Sequence, residues 1–314
     1  MKRNMVGYCA ASFAVVLAEF LFQSAWAVDV QMNGDTNVAG GLTASSFTGS
    51  GAGLTGIPGS AISNTSVTVN QLADSAVTSA KLANDAVTPT KIAFYSRVAI
   101  VAITGGDYAD PSTAMADYST WCPSPSSSNP CLLKIMPGVY DVGSSSVTMQ
   151  QYIDIEGSGE KITKVASTNV TGTVQGASNA EIRFLTVANT GGNSTRAIYN
   201  SSASPSILHV TATASGGITN NFGVYNTNSS VVMTNVTITA SGTSGYGVAN
   251  AGTGTVKINH SVISGTGNTI YNTSGVITLV SHTQLDGGAV FNGGTLTCVG
   301  AYNSSYVALG TNCQ

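Results

Sequence analysis

The chain has 314 residues and a formal net charge of −3, and 42% of its residues are hydrophobic whereas only 8% are charged. It is too apolar for a disordered protein, and its 36 glycines and few charges are untypical of a helical one. The sequence contains no basic patch, so we do not expect a nucleic-acid partner.

The first 27 residues have the pattern of a secretory signal peptide. Lys2 and Arg3 form a positive n-region, residues 5–18 are mostly apolar, and AWA at residues 25–27 fits a cleavage site. Glu19 interrupts the apolar run and argues against a permanent membrane span. We therefore expect export to an extracellular or cell-surface location, in a bacterial-type envelope, with no membrane span in the mature chain.

Residues 28–93 form a low-complexity segment with a ten-residue repeat. Leu72, Leu82 and Ile92 recur at this interval within QLADSAVTSA, KLANDAVTPT and KIA. Such a thin segment cannot bury a core alone. It resembles the stalks of phage tail fibres and related trimeric surface proteins, which implies a homotrimer through residues 28–93. A linker rich in Ala, Ser and Thr is the alternative.

The next segment predicts a cap and the first strands of a second region. DPSTAMADYSTW, from Asp110 to Trp121, has Asp110 as the helix N-cap and Pro111 at the first helical position. This short helix is expected to cover an N-terminal edge. LLKIMPGVYDV at 132–142 and YIDIEGSGEKITKV at 152–165 then alternate apolar and polar residues, as strands do.

An internal repeat follows residue 180. Five segments end in an aliphatic residue, a variable residue and Asn, and successive Asn residues lie 26, 24, 22 and 20 positions apart. The Asn residues are Asn200, Asn226, Asn250, Asn272 and Asn292, and the aliphatic ones are Ile198, Val224, Val248, Ile270 and Val290. Short strands with Gly and Asn turns lie between them, so the repeat predicts an all-β parallel β-helix over residues 94–297. Both columns should face inward, with the Asn side chains bonded to each other.

This repeat, with the two strand segments and the preceding GGDY, resembles the pectin lyase-like right-handed parallel β-helices. The first coils are most similar to the pectin methylesterase branch, because Pro137–Tyr140 matches its PG-x-Y turn and Gly157–Gly159 its G-x-G turn. The resemblance covers residues 95–297 in architecture. It implies a right-handed coil and raises the question of carbohydrate chemistry.

The catalytic residues of those enzymes are not found in the sequence. A pectin methylesterase needs two aspartates, an arginine and glutamine donors, and its Q-D-T-L and D-F-I-F-G motifs are absent. After Lys161 the acidic residues are Glu181 and Asp286, which are too far apart to form a pair. No cluster of acids for a hydrolase or lyase can be assembled either. We therefore predict no catalytic residue and no enzymatic activity.

Two weaker signals for a metal are set aside. Asp154 and Glu156 share one face of a strand and could bind a cation, but a solvated face is the simpler interpretation. His260 and His282 should lie on adjacent coils, yet no third ligand is in register, so ordinary surface histidines are expected. The sequence predicts no metal and no cofactor.

A third column lies between the aliphatic and Asn columns and should face outward. It holds Tyr199, Tyr225, Ala249, Tyr271 and Phe291. We predict a carbohydrate-binding strip at the four aromatic positions, because flat rings match the apolar faces of sugars. The alternative is that the rings pack under a loop or against a partner chain.

Four cysteines remain after signal removal, namely Cys122, Cys131, Cys298 and Cys313. Three pairings are possible in an exported chain, and the two local ones, Cys122–Cys131 and Cys298–Cys313, are preferred. The second would close a C-terminal cap over residues 298–314.

These features predict a secreted or cell-surface, non-catalytic β-helix protein of structural or adhesive role. Its expected partner is a polysaccharide or cell-surface glycan bound along the aromatic ladder. Two alternatives stay open: a carbohydrate-active esterase or lyase of the pectin lyase-like type, and a trimeric tail-spike or fibre-like protein.

Overall fold

Short strands account for most of residues 95–314, which the computed structural model describes together with the single residue Val77. The expected signal peptide and stalk lie outside these residues. The helices are α1 (Pro111–Ala116) and α2 (Tyr118–Trp121). The strands are β1 (Arg97–Val101), β2 (Cys131–Ile135), β3 (Gly138–Asp141), β4 (Val147–Thr148), β5 (Ile153–Glu156), β6 (Thr163–Ser167), β7 (Val174–Gln175), β8 (Glu181–Asn189), β9 (Ser194–Ser201), β10 (Ser206–Ala214), β11 (Asn220–Thr227), β12 (Val232–Thr234), β13 (Thr237–Ala240), β14 (Gly245–Ala251), β15 (Gly254–Asn259), β16 (Val262–Asn272), β17 (Val276–Ser281), β18 (Gln284–Asn292) and β19 (Thr295–Val299).

These strands pair in parallel and stack in three columns, which we call faces A, B and C. Face A contains β1, β2, β5, β12, β15, β17 and β19 with the first halves of β8 and β10. Face B contains β3, β6 and β13, the second halves of β8 and β10, and the first halves of β16 and β18. Face C contains β4, β7, β9, β11 and β14 with the second halves of β16 and β18. The predicted right-handed parallel β-helix is therefore confirmed.

Aliphatic side chains from successive coils fill the interior. On face C, Ile198, Val224, Val248 and Ile270 form one column, and each is at most 1% exposed. Val290, the last member of this column, is only partly buried. Each fully buried aliphatic side chain contributes about 1.5–3 kcal/mol to folding. The interior is thus built by stacking like residues at the coil spacing.

A left-handed residue turns the corner between faces A and B in five consecutive coils. Phe184, His209, Asn235, His260 and His282 have φ values between 45° and 56°. This backbone region is sterically unfavourable for residues other than glycine. The side chains at this corner stack on one another outside the coil, as Phe184 does on His209 at 5.3 Å between ring centroids.

The N-terminal cap differs from the single helix expected over 110–121. Asp110 caps α1 as predicted, accepting hydrogen bonds from the backbone N–H groups of Ser112 and Thr113. The helix ends at Ala116, however, and α2 begins separately at Tyr118. The intervening residue is Asp117, whose carboxylate accepts hydrogen bonds from the hydroxyls of Tyr108 and Thr120. It accepts none from the backbone N–H groups of α2, so α2 has no side-chain N-cap.

Two local disulfides close the ends of the β-helix. Cys122, at the end of α2, is bonded to Cys131 at the start of β2. Cys298 is bonded to Cys313, and its backbone N–H also donates to the carbonyl of Thr311. Cys298 lies within β19, so the cap boundary expected at residue 298 falls inside a strand. Among the described residues, no helix has the length and apolar character needed to cross a membrane.

Candidate functional site

Four coils bend on face C where two consecutive residues face the interior. Gly223 and Val224 are both buried, and so are the equivalent pairs Ala197–Ile198, Gly247–Val248 and Thr269–Ile270. Strict alternation would place residues three apart on opposite sides of a strand. The bend instead places Phe222 and Tyr225 on the same outer surface.

The outer surface of face C therefore carries a strip of aromatic residues that is two columns wide. We call it the aromatic strip and define it as Tyr199, Phe222, Tyr225, Tyr246, Tyr271 and Phe291. Its neighbouring rings have centroids 4.7–5.5 Å apart. All these pairs are stacked except Tyr246–Tyr271, which meets edge to face. Sequence reasoning predicted four of these residues and missed Phe222 and Tyr246, which begin the motifs FGVYN and YGVAN.

The rings of the strip cover one another in part but remain open to solvent. Tyr199, Tyr225 and Tyr271 are half-buried, whereas Phe291 at the end of the strip is 48% exposed. Ala249, which belongs to the same column, is buried because its small side chain lies among the flanking rings. Within residues 95–314, none of the tyrosine hydroxyls of the strip hydrogen bonds to the protein.

Arg196 lies at the N-terminal end of the aromatic strip. Its guanidinium carbon is 5.3 Å from the ring centroids of Tyr199 and Tyr225 and 5.6 Å from that of Phe222. One Nη atom donates to the carbonyl of Val170, while the buried Nε has no partner in the described part of the chain. Arg196 forms no salt bridge with the residues that the structure describes, so the strip ends in a cation held by aromatic rings.

The Asn column lies directly inside the strip. Asn200, Asn226, Asn250 and Asn272 are at most 1% exposed. Each donates from its amide nitrogen to the amide oxygen of the next, at distances of 2.7, 2.8 and 2.8 Å, and Asn272 donates to Asn292 at 3.3 Å. Asn292 itself is exposed. The ladder thus pairs amide groups that would otherwise be unpaired in the interior, although the Oδ1 atom of its first member, Asn200, accepts no hydrogen bond from the described residues.

A cluster of charges lies on the outer surface of face A. Arg183 contacts Glu181 at 2.8 Å, Glu156 at 2.7 Å and Asp154 at 3.4 Å. Lys134 contacts Glu156 at 2.7 Å. The coil places Glu181 beside Asp154, whose carboxylate accepts a hydrogen bond from the Glu181 backbone N–H. We call these five residues the face A cluster.

Tyr95 joins the face A cluster through two hydrogen bonds. Its hydroxyl donates to Asp154 at 2.6 Å and accepts from Arg183 at 2.9 Å. Desolvation, followed by the hydrogen bond to Asp154, raises the pKa of Tyr95 to about 12. Desolvation alone would raise the pKa of Glu156, but hydrogen bonds from Lys134 and Arg183 outweigh it and lower that pKa. Every carboxylate of the cluster contacts the Arg183 guanidinium.

The histidines lie away from both of these surfaces. His260 and His282 stack on adjacent coils with ring centroids 5.1 Å apart and planes 6° apart, and both are exposed. His209 occupies the same corner and contacts Asn235 at 3.3 Å. Over residues 95–314, no group of three or more His, Cys, Asp or Glu side chains is arranged to hold a metal ion.

No protein-family model matches this chain, and no curated protein matches it. Its fold neighbours among solved structures include pectin methylesterases. Pectin methylesterase PemA from Erwinia chrysanthemi is 11% identical with a TM-score of 0.43, over 70% of this chain and 92% of that chain. The carrot pectin methylesterase is 14% identical with a TM-score of 0.39, over 67% and 81%. The A-module of the mannuronan C-5 epimerase AlgE4 from Azotobacter vinelandii is 13% identical with a TM-score of 0.29, over 64% and 75%.

The pectin methylesterases are the branch that the first coils resemble in sequence. At these identities and TM-scores the similarity concerns the fold alone. Activity, substrate and site residues have to be argued from this chain. Its two candidate surfaces are the aromatic strip on face C and the face A cluster.

Proposed function

We propose that this protein is exported and acts outside the cell as a non-catalytic structural or adhesive β-helix that binds a glycan along its aromatic strip. The observation that carries the proposal is the continuous outer surface formed by six aromatic rings. Two disulfides in the described residues agree with an oxidising compartment. The aromatic strip runs along several coils, so it suits an extended ligand.

The strip offers the two kinds of contact that a sugar requires. Its ring surfaces are apolar and can pack against the C–H faces of a pyranose. Its tyrosine hydroxyls have no protein partner in residues 95–314, and the Arg196 guanidinium adds N–H donors, so sugar hydroxyls would meet free hydrogen-bonding groups. A loop or partner chain over the rings is the competing interpretation.

The proposal is tested by replacing two rings of the aromatic strip. We expect Tyr225→Ala combined with Tyr271→Ala to abolish retention on a glycan array while lowering the melting temperature by only a few degrees, because both side chains are half-buried. The matched control is Tyr302→Ala with Tyr306→Ala, a second stacked pair that lies outside the strip. Equal binding by wild type and the strip variant, or a collapse of stability in that variant, would contradict the proposal.

The face A cluster supports a second candidate, an esterase or lyase of the pectin lyase-like type. It brings three carboxylates to one arginine on an outer surface, as acid–base chemistry on a polysaccharide would need. Against this, each carboxylate is already paired, which leaves no free base. We expect the purified protein to leave uronic-acid polymers intact. Cleavage by the wild type that is lost in Glu181→Gln would establish the enzyme instead.

A further inference from the structure

The last coil leaves the outer edge of face C open. Residues 288–292 of β18 pair with β16 on one side, and no strand of the described chain pairs with them on the other. The side chain of Gln314 makes one contact there, donating to the carbonyl of Val290 at 3.0 Å. Ala289, Phe291 and Asn292 are exposed. This edge segment, GAVFN, carries no charged residue and no proline, which are the usual means of blocking strand addition.

The aliphatic, outward and Asn columns of face C all end at this edge without a covering strand in the described residues. In the preceding coil Ile270 and Asn272 are fully buried, whereas Val290 is partly buried and Asn292 is exposed. Each earlier Asn of the ladder donates its amide N–H to the next Asn. Within the described residues the Asn292 nitrogen has no acceptor. A further parallel strand would complete all three columns if it carried an aliphatic residue, any outward residue and Asn.

The chain contains this pattern outside the β-helix. Leu82, Ala83 and Asn84 follow the same order as Val248, Ala249 and Asn250, including the alanine at the outward position. The spacing of the two regions favours pairing between copies. A strand added beyond β18 lies no nearer than the level of β19, which is eight steps from β1 on face A, or about 38 Å at ~4.8 Å per step. The eleven-residue stretch from Asn84 to Tyr95 reaches at most about 36–40 Å. It would have to be fully extended to bring residues 81–84 to the edge of their own chain.

We propose that residues 81–84 of a second copy of this chain add to the edge of β18 as a parallel strand. Leu82 then covers Val290, Ala83 lies beside Phe291, and Asn84 accepts the amide N–H of Asn292. Main-chain hydrogen bonds supply affinity and the three columns supply register. Because each copy has one such segment and one such edge, the copies join head to tail. This assembly is independent of the proposed glycan binding.

Register-specific disulfide trapping tests the pairing in the full chain. Paired residues on adjacent strands have Cα atoms within the 4.4–6.8 Å range that a disulfide requires. Ala83→Cys with Phe291→Cys should give a series of covalent oligomers on mild oxidation. The matched control is Ala83→Cys with Val299→Cys, since Val299 is 60% exposed on β19 of face A. No oligomers, equal oligomers in both variants, or a crosslink within one chain would overturn the proposal.

A second measurement avoids added cysteines. Phe291→Lys places a charge on the open edge and should abolish end-to-end association in light scattering, whereas Val299→Lys should leave it unchanged. Phe291 is half exposed, so the variant should keep the wild-type melting temperature within a few degrees. A wild-type monomer, or an oligomer of the same mass in both variants, would show that β18 is not the contact.

Discussion

Asn250 occupies the middle of the buried amide ladder. It accepts from Asn226 at 2.8 Å, and it donates to Asn272 at 2.8 Å and to the hydroxyl of Thr278 at 3.1 Å. We expect Asn250→Leu to lower the free energy of unfolding by about 1–3 kcal/mol, because it leaves the Asn226 amide nitrogen buried without an acceptor. Urea denaturation followed by far-UV circular dichroism measures the change.

The same ladder supplies a control for this prediction. Asn292 is the exposed last member, so Asn292→Leu should change stability by less than about 0.5 kcal/mol. If the two variants lost equal free energy of unfolding, the cost could not be assigned to leaving a buried amide without a partner.

Glu156 makes the stability of the chain depend on acid pH. Its folded-state pKa is lowered, so its contribution is complete above the unfolded pKa of about 4.3 and is lost as the pH falls through the folded value. We expect Glu156→Gln to be less stable than wild type at pH 7, and the difference to shrink as the pH falls below the unfolded pKa of about 4.3. Urea midpoints measured between pH 7 and 3 test this, and a constant difference across the range would contradict it.

The residues that sequence reasoning found and those it missed differ for a physical reason. The ladder positions follow from the sequence repeat, since each coil ends in the same order of an aliphatic residue, a variable residue and Asn although the coils shorten from 26 to 20 residues. Phe222 shares the outer surface with Tyr225 because two consecutive residues, Gly223 and Val224, face the interior. Glu181 reaches Asp154 because that coil is 27 residues long. Neither the bend at residues 223 and 224 nor the length of that coil can be predicted from the sequence without the backbone path.

The disulfide between Cys122 and Cys131 fastens the N-terminal helices to the first coil. It spans nine positions and both cysteines are fully buried. We expect Cys122→Ala with Cys131→Ala to lower the free energy of unfolding by about 2–3 kcal/mol, mainly by loosening the constraint on the unfolded chain. Urea denaturation of the double variant tests this. An unchanged midpoint would show that α1 and α2 hold the first coil without the bridge.

At the scale of elements, caps were harder to predict than strands. The N-cap at Asp110 was visible because Asp before Pro is a local signal. The break between α1 and α2 depends on Tyr108 hydrogen bonding to Asp117, a contact between a loop and a helix end. Likewise, β19 extends through Cys298 because it pairs with β17, which the cysteine spacing does not reveal.

The buried aliphatic columns described above are formed by residues 95–314. A chain consisting of residues 95–314 should therefore fold with a melting temperature within a few degrees of that of the mature protein. It should also be monomeric, because it lacks residues 28–93. The mature chain should give an open-ended series of oligomers if its copies join head to tail, and three times the protomer mass if residues 28–93 trimerise. Calorimetry measures the melting temperature and light scattering measures the mass. A monomeric mature chain would contradict trimerisation through residues 28–93.

The left-handed positions at the corner between faces A and B should tolerate substitution. Phe, His and Asn already occupy that backbone conformation there, so exchanging one such side chain for another adds little further strain. These side chains lie outside the coil and leave the interior columns untouched. The corner thus provides one exchangeable, solvent-facing side chain in each of five consecutive coils.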